Sequence, residues 1–162
     1  MGLIPRIFLT WRAPGRAVRG LSGLSEPALL ALLLGTMAVY FVAQWPAHAR
    51  AAALDPSVPL QARLGGALMA TMFLMPLVVM AVALISGLIA RLVGLPLDPR
   101  AARLALIWAL AATAPVMLLA GLVQGLMGAG PALSLVHVLA GIAFFVFWFA
   151  GIRALARKEI AP

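Results

Sequence analysis

Four stretches of the chain run almost free of charged side chains, separated by segments where Arg, Pro, Gly and Asp collect. The first apolar run, Ala28 to Trp45, follows Ser25, Glu26 and Pro27, a polar cap and a proline that read as a helix start. At about 1.5 Å per residue, a run of this length is close to the minimum that crosses about 30 Å of hydrocarbon. The second run, Leu64 to Ala90, is long enough for a tilted crossing, and Pro76 near its middle leaves the Met72 carbonyl without an amide donor, which predicts a kink. The third starts at Asp98-Pro99, an N-cap followed by a first-turn proline, and its apolar part continues to Met127, with a bend expected at Pro115. Gly128-Ala129-Gly130-Pro131 allows only a tight turn before the fourth run, Ala132 to Ile152, so spans three and four are expected to be antiparallel neighbours. The reading is an all-α, polytopic membrane protein: a four-helix transmembrane bundle over 28–153 (spans 28–46, 64–90, 103–127 and 132–153), a short basic amphipathic arm over 1–27 and a basic tail over 154–162.

Composition narrows the class further. Apolar residues make up 65% of the chain and charged ones 10%, so a water-soluble fold would have to cover its exterior with Leu, Ala and Val. With no cysteine there is no disulfide, thiolate metal site or cysteine nucleophile. The net charge of +8 would suggest nucleic acid for a soluble chain, but position matters more here, and no nucleic-acid partner is expected. Arg6, Arg12, Arg16 and Arg19 in the arm, Arg91, Arg100 and Arg103 between spans two and three, and Arg153, Arg157 and Lys158 at the end all fall on one side. Only Arg50 and Arg63 fall on the other, which predicts both termini in the cytoplasm. Trp45 is expected at the outer interface, and Trp108 and Trp148 at the inner one. The abundance of Ala and Arg points to a bacterial inner membrane.

The arm is both basic and apolar. Ile4, Ile7, Phe8, Leu9 and Trp11 can enter the interface while Trp11, Arg12, Arg16 and Arg19 meet anionic lipid headgroups, with each cation contributing on the order of 1 kcal/mol. Pro5 and Pro14 limit it to short helices, and a partly ordered leader that only sets topology is the other reading. Ala47-His48-Ala49 fits a signal-cleavage pattern, but the apolar run before it is too long for a signal peptide, so retention is expected. Met1-Gly2 does not read as a myristoylation signal, because Arg6 stands where Ser or Thr is required.

The arm Ile7-Phe8-Leu9-Thr10-Trp11-Arg12-Ala13-Pro14-Gly15-Arg16-Ala17-Val18-Arg19, the segment Phe41-Val42-Ala43-Gln44-Trp45-Pro46 and the run Ala101 to Leu110 together resemble the bacterial Yip1 family, in its short alphaproteobacterial form. The resemblance implies a compact helical inner-membrane protein with no catalytic residues to carry over. The trafficking role of the eukaryotic relatives is not implied, since this chain has a short arm in place of a sizeable cytosolic domain and one span fewer than is usual.

The chemistry within the spans is sparse. Glu26, Asp55, Asp98 and Glu159 all lie outside the apolar runs, which argues against a carboxylate-driven pump, and the expectation is a non-catalytic protein without cofactor or metal. Gln44, His48, Gln124 and His137 map to one level near the outer face, either as a ligand, quinone or metal contact or as interfacial groups bonding water and carbonyls. Met69, Met72 and Met75 recur every three residues, which suits Cu(I) or, more simply, gap-filling beside Pro76. Thr36, Thr71 and Thr113 are expected to bond their own helices. Gly65, Gly66, Gly121 and Gly125 are expected to line close helix contacts, within the bundle or with another subunit. The functional expectation is membrane organisation or protein–protein interaction. The rivals are an accessory subunit of a respiratory or photosynthetic complex and a small transporter or Cu(I)-handling protein.

Overall fold

The computed structural model describes residues 2–156; Met1 and the tail positions Arg157, Lys158 and Glu159 lie outside the described residues. All elements are helical: α1 (Leu3–Arg12), α2 (Pro14–Arg19), α3 (Glu26–Leu54), α4 (Leu60–Met69), α5 (Met75–Leu92), α6 (Pro99–Met127) and α7 (Pro131–Ala156), with a π turn over Ala70–Leu74 joining α4 to α5. Four segments are long and apolar enough to cross a membrane: α3, the continuous Leu60–Leu92, α6 and α7. The protein is therefore a multi-pass membrane protein with a four-helix bundle, as its hydrophobic pattern predicts.

The helix starts follow the predicted chemistry. Ser25 caps α3, its hydroxyl accepting from the Ala28 amide at 3.3 Å, while Glu26 and Pro27 occupy the first turn. Asp98 precedes α6 with Pro99 in the first turn, though its side chain makes no capping bond. α6 and α7 pack side by side across the short Gly128–Pro131 connection.

α3 does not end at Trp45-Pro46 but continues to Leu54, so Arg50 lies on a helix rather than in a loop. Pro46 costs α3 one backbone hydrogen bond, and its ring fits against Gly125 of α6, a contact that holds the helix on course through the proline. The distortion predicted at Pro76 takes the form of the π turn one turn upstream, where the Met75 amide reaches back to the Ala70 carbonyl. An extra residue per turn lets the chain reach Pro76 without forcing its ring into the preceding backbone.

α6 is the central element. More than half of its apolar window is buried (56%), against 17% for the Leu60–Leu92 segment. Burial is concentrated in its first half, where Ala102, Leu104 to Ala109 and Ala111 to Ala114 are all enclosed. Around this stretch collect Leu29, Leu33 and Met37 of α3, Val79 and Ala83 of α5, and Leu155 of α7. Small residues set the spacing to α7, where a Cβ on Gly151 would come within 3.2 Å of the Ala105 Cβ. Dense packing therefore occupies the end of the bundle that carries the arm, and the opposite, hairpin end is more open. Gly15 of α2 lies against Ala154 of α7, which places the two described ends of the chain at the same end of the bundle.

Candidate functional site

The arm end is built on side chains that the arm itself supplies to the core. α1 buries Thr10, α2 buries Ala17 and Val18, and Leu21 follows. Thr10 Oγ1 donates to the Arg6 carbonyl at 2.8 Å and accepts from Trp108 Nε1 at 3.1 Å, so the one hydroxyl ties α1 to the centre of α6. The arm is thus an ordered part of the bundle rather than a leader lying loose at the interface. It also corrects the expectation for Trp108, which is 2% exposed and faces Thr10 instead of headgroups. Trp148 is half-buried, with its indole Nε1 enclosed among the described residues, whereas Trp45 is well exposed.

The outer surface of the arm divides by chemistry. Ile4, Phe8 and Trp11, spaced one helical turn apart, are exposed along one stripe of α1, and Trp11 also meets Phe147 edge-on with ring centroids 5.1 Å apart. Arg12, Arg16 and Arg19 are exposed and make no ion pair among the described residues. Glu26, at the start of α3, is already taken by Arg100 (3.4 Å) and Arg103 (3.0 Å), and Arg100 also donates to the Leu24 carbonyl. Arg6 is partly buried beside Gly20, with one guanidinium nitrogen lacking an acceptor. The result is an apolar stripe bordered by guanidinium groups that no acid among the described residues pairs.

The two cations at the hairpin end are spent differently. Arg50 donates to the carbonyls of Gly125 (3.4 Å) and Leu126 (3.2 Å), closing the C-terminus of α6 where its own carbonyls lack amide partners. Gly128, with φ of +81°, completes that helix end, and the Arg50 guanidinium lies against it. Arg63 pairs with Asp55 at 3.3 Å and donates to the Val58 and Asp55 carbonyls. Hydrogen bonds from Ser57, and then the Arg63 charge, hold the Asp55 carboxyl below its ordinary range.

The polar residues predicted at one level come together in part. Gln44, Gln124 and His137 line a cleft of about 440 Å³ between α3, α5, α6 and α7, whereas His48 is not among its walls. The Gln44 amide donates to Thr71 Oγ1 at 3.0 Å and to the Tyr40 carbonyl at 3.2 Å, and the Tyr40 hydroxyl donates to the Leu110 carbonyl at 2.9 Å. Thr71 sits in the π turn and bonds across helices, contrary to its expected self-bonding, while Thr36 and Thr113 do bond their own helices at 2.8 and 2.7 Å. Tyr40 escaped the sequence reading because a single tyrosine in an apolar run carries no spacing signal.

The methionine repeat does not form one face. Met69 and Met75 are 60% and 48% exposed, whereas Met72 packs against the core, because the π turn rotates the register between them. Met75 alone of the three lines the cleft. The four glycines also separate. Gly121 and Gly125 touch the backbone of α3 at Ala43 and Pro46, so closely that a Cβ on either would overlap it, while Gly65 and Gly66 meet nothing within the chain. No group of three or more acidic or histidine side chains converges among the described residues. No family model, curated protein or solved structure matches the chain.

Proposed function

We propose that this protein is a non-catalytic organiser of the bacterial inner membrane, of Yip1-like type, with its arm end in the cytoplasm, where it gathers anionic lipid headgroups. The observation that carries this reading is the docked arm: exposed Arg12, Arg16 and Arg19, without acidic partners among the described residues, stand beside the exposed Ile4, Phe8 and Trp11 stripe. Such a surface places apolar rings at the acyl boundary and guanidinium groups at phosphate level. The charge distribution supports the orientation, since both hairpin-end cations are engaged by protein acceptors while Arg12, Arg16 and Arg19 of the arm find no acidic partner among the described residues. The resemblance of the arm to the Yip1 family and the confinement of all four acids to positions outside the apolar runs support an organising rather than a chemical role.

The test is thermal unfolding of the full chain in nanodiscs. Phosphatidylglycerol should raise the Tm above its value in phosphatidylcholine, and the Arg12→Gln, Arg16→Gln, Arg19→Gln variant should lose most of that difference, as should high salt for the unaltered protein. An equal response from variant and parent would end the proposal. A second reading, membership of a larger membrane complex, draws on the sparsely packed Leu60–Leu92 segment, whose α4 buries nothing and leaves Gly65 and Gly66 open to a partner helix. Cross-linking from a Gly66→Cys variant should capture a membrane partner if this is so.

A further inference from the structure

We infer that the cleft at the hairpin half of the bundle is a binding site for a neutral amphiphile with a flat, carbonyl-bearing ring, namely a quinone. The walls are stratified. Gln44, Thr71, Gln124 and His137 lie toward the hairpin end, and Met37 and Met117, with Leu110 and Val79, lie deeper. Seven residues separate Met37 from Gln44 and Met117 from Gln124, which at about 1.5 Å per residue puts roughly 10 Å between the polar and thioether levels.

A Cu(I) ion needs its donors within about 2.3 Å of one point, whereas the lining offers one imidazole and thioethers spread over three helices, from Met37, Met75 and Met117. An elongated organic molecule spans the two levels naturally. The lining contains no charged side chain, and the nearby Arg50 guanidinium is already engaged at the Gly125 and Leu126 carbonyls, so a phosphate or carboxylate head has no counter-charge there. A neutral head with carbonyl acceptors fits instead. Hydrogen-bond donors stand on different walls, Gln124 on α6 and His137 on α7 together with the Thr71 hydroxyl of the π turn, whose own proton is left available because Thr71 accepts from Gln44, as the two carbonyls across a quinone ring require.

Methionine sulfur on three walls, from Met37, Met75 and Met117, favours an aromatic or conjugated ring over a saturated one. The volume of about 440 Å³ lies within the range of small-molecule sites, and half-exposed Met75 marks an opening through which a tail can continue into the bilayer. The π turn contributes directly, because it buries Thr71 where Gln44 can fix on it and so sets the orientation of that amide.

The experiment titrates a decyl-substituted benzoquinone into the full chain in phosphatidylcholine nanodiscs, where lipid chains compete for the cleft throughout, and follows thermal stability and calorimetric binding. Saturable binding is expected, weakened about ten-fold by His137→Leu and abolished by Met75→Trp, which fills the opening from an exposed position. His48→Ala, outside the cleft, should leave affinity unchanged. The Arg12→Gln, Arg16→Gln, Arg19→Gln variant should bind the quinone normally, which separates this site from the lipid reading of the arm. Both cleft variants keep their unliganded Tm if the effect is on binding. Absence of saturable binding, equal affinity in the cleft variants, or stoichiometric Cu(I) binding lost in His137→Leu without quinone binding overturns the inference.

Discussion

A Cβ at position 121 would overlap the Ala43 carbonyl, and one at 125 the Pro46 ring, so two absent carbons set how closely α6 approaches α3. Gly121→Ala should force the helices apart and destabilise the protein by roughly 3 kcal/mol, the upper part of the range for overpacked sites. Gly65→Ala should do the opposite: its Cβ would meet nothing, and alanine in a helix is favoured by up to ~1 kcal/mol. Equilibrium unfolding in mixed micelles checks both, and the contrast in sign is the critical result. The glycine spacing was legible in the sequence for all four positions, but which of them meet a neighbour was not. Likewise the indole of Trp108 looks interfacial by its position in a span, and only the arrival of Thr10 from the arm turns it into the largest of the fully buried side chains among the described residues.

At the scale of elements, local signals were reliable for helix starts and misleading for helix ends. Ser25 and Pro27 begin α3 as expected, yet Pro46 does not stop it, because a helix can lose one hydrogen bond when the proline ring gains a packed surface. The connection that follows is therefore short, and Asp55, Ser57 and Arg63 hold it through a small polar network. Since the Asp55 carboxyl is held below its ordinary range, chiefly by Ser57, its stabilising contribution is present above the ordinary carboxylate pKa and is lost as pH falls through the lowered value. Protection of residues 55–63 against hydrogen exchange, taken relative to the intrinsic rate at each pH, should fall in acid in the parent and lose that dependence in Asp55→Asn. The arm illustrates the complementary case. Its two short helices follow from Pro14, whereas their inward face of Thr10, Ala17 and Val18 gains meaning only from Trp108 of α6 and the small residues of α7 beside it.

For the whole molecule, packing is uneven along the membrane normal: dense around the first half of α6 at the arm end and open at the hairpin end, where the cleft lies. The proposed orientation puts the dense end in the cytoplasm. Because the chain has no cysteine, Gly23→Cys and Ser57→Cys each introduce a single reporter at opposite ends. In intact cells a membrane-impermeant maleimide should label position 57 and spare position 23 until the inner membrane is opened. The reverse pattern would invert the topology. Four apolar runs, their antiparallel order and the unequal number of cations on the two sides were all determined by the sequence alone, since the bilayer demands about twenty uncharged residues per crossing and reads charge locally in the flanks. Tertiary structure alone decided that α6 is the centre, that the arm belongs to the core and that Gln44, Gln124 and His137 share a cleft without His48. The reason is physical: in lipid every helix face is equally apolar, so hydropathy cannot say which faces meet, and close contact between small side chains does.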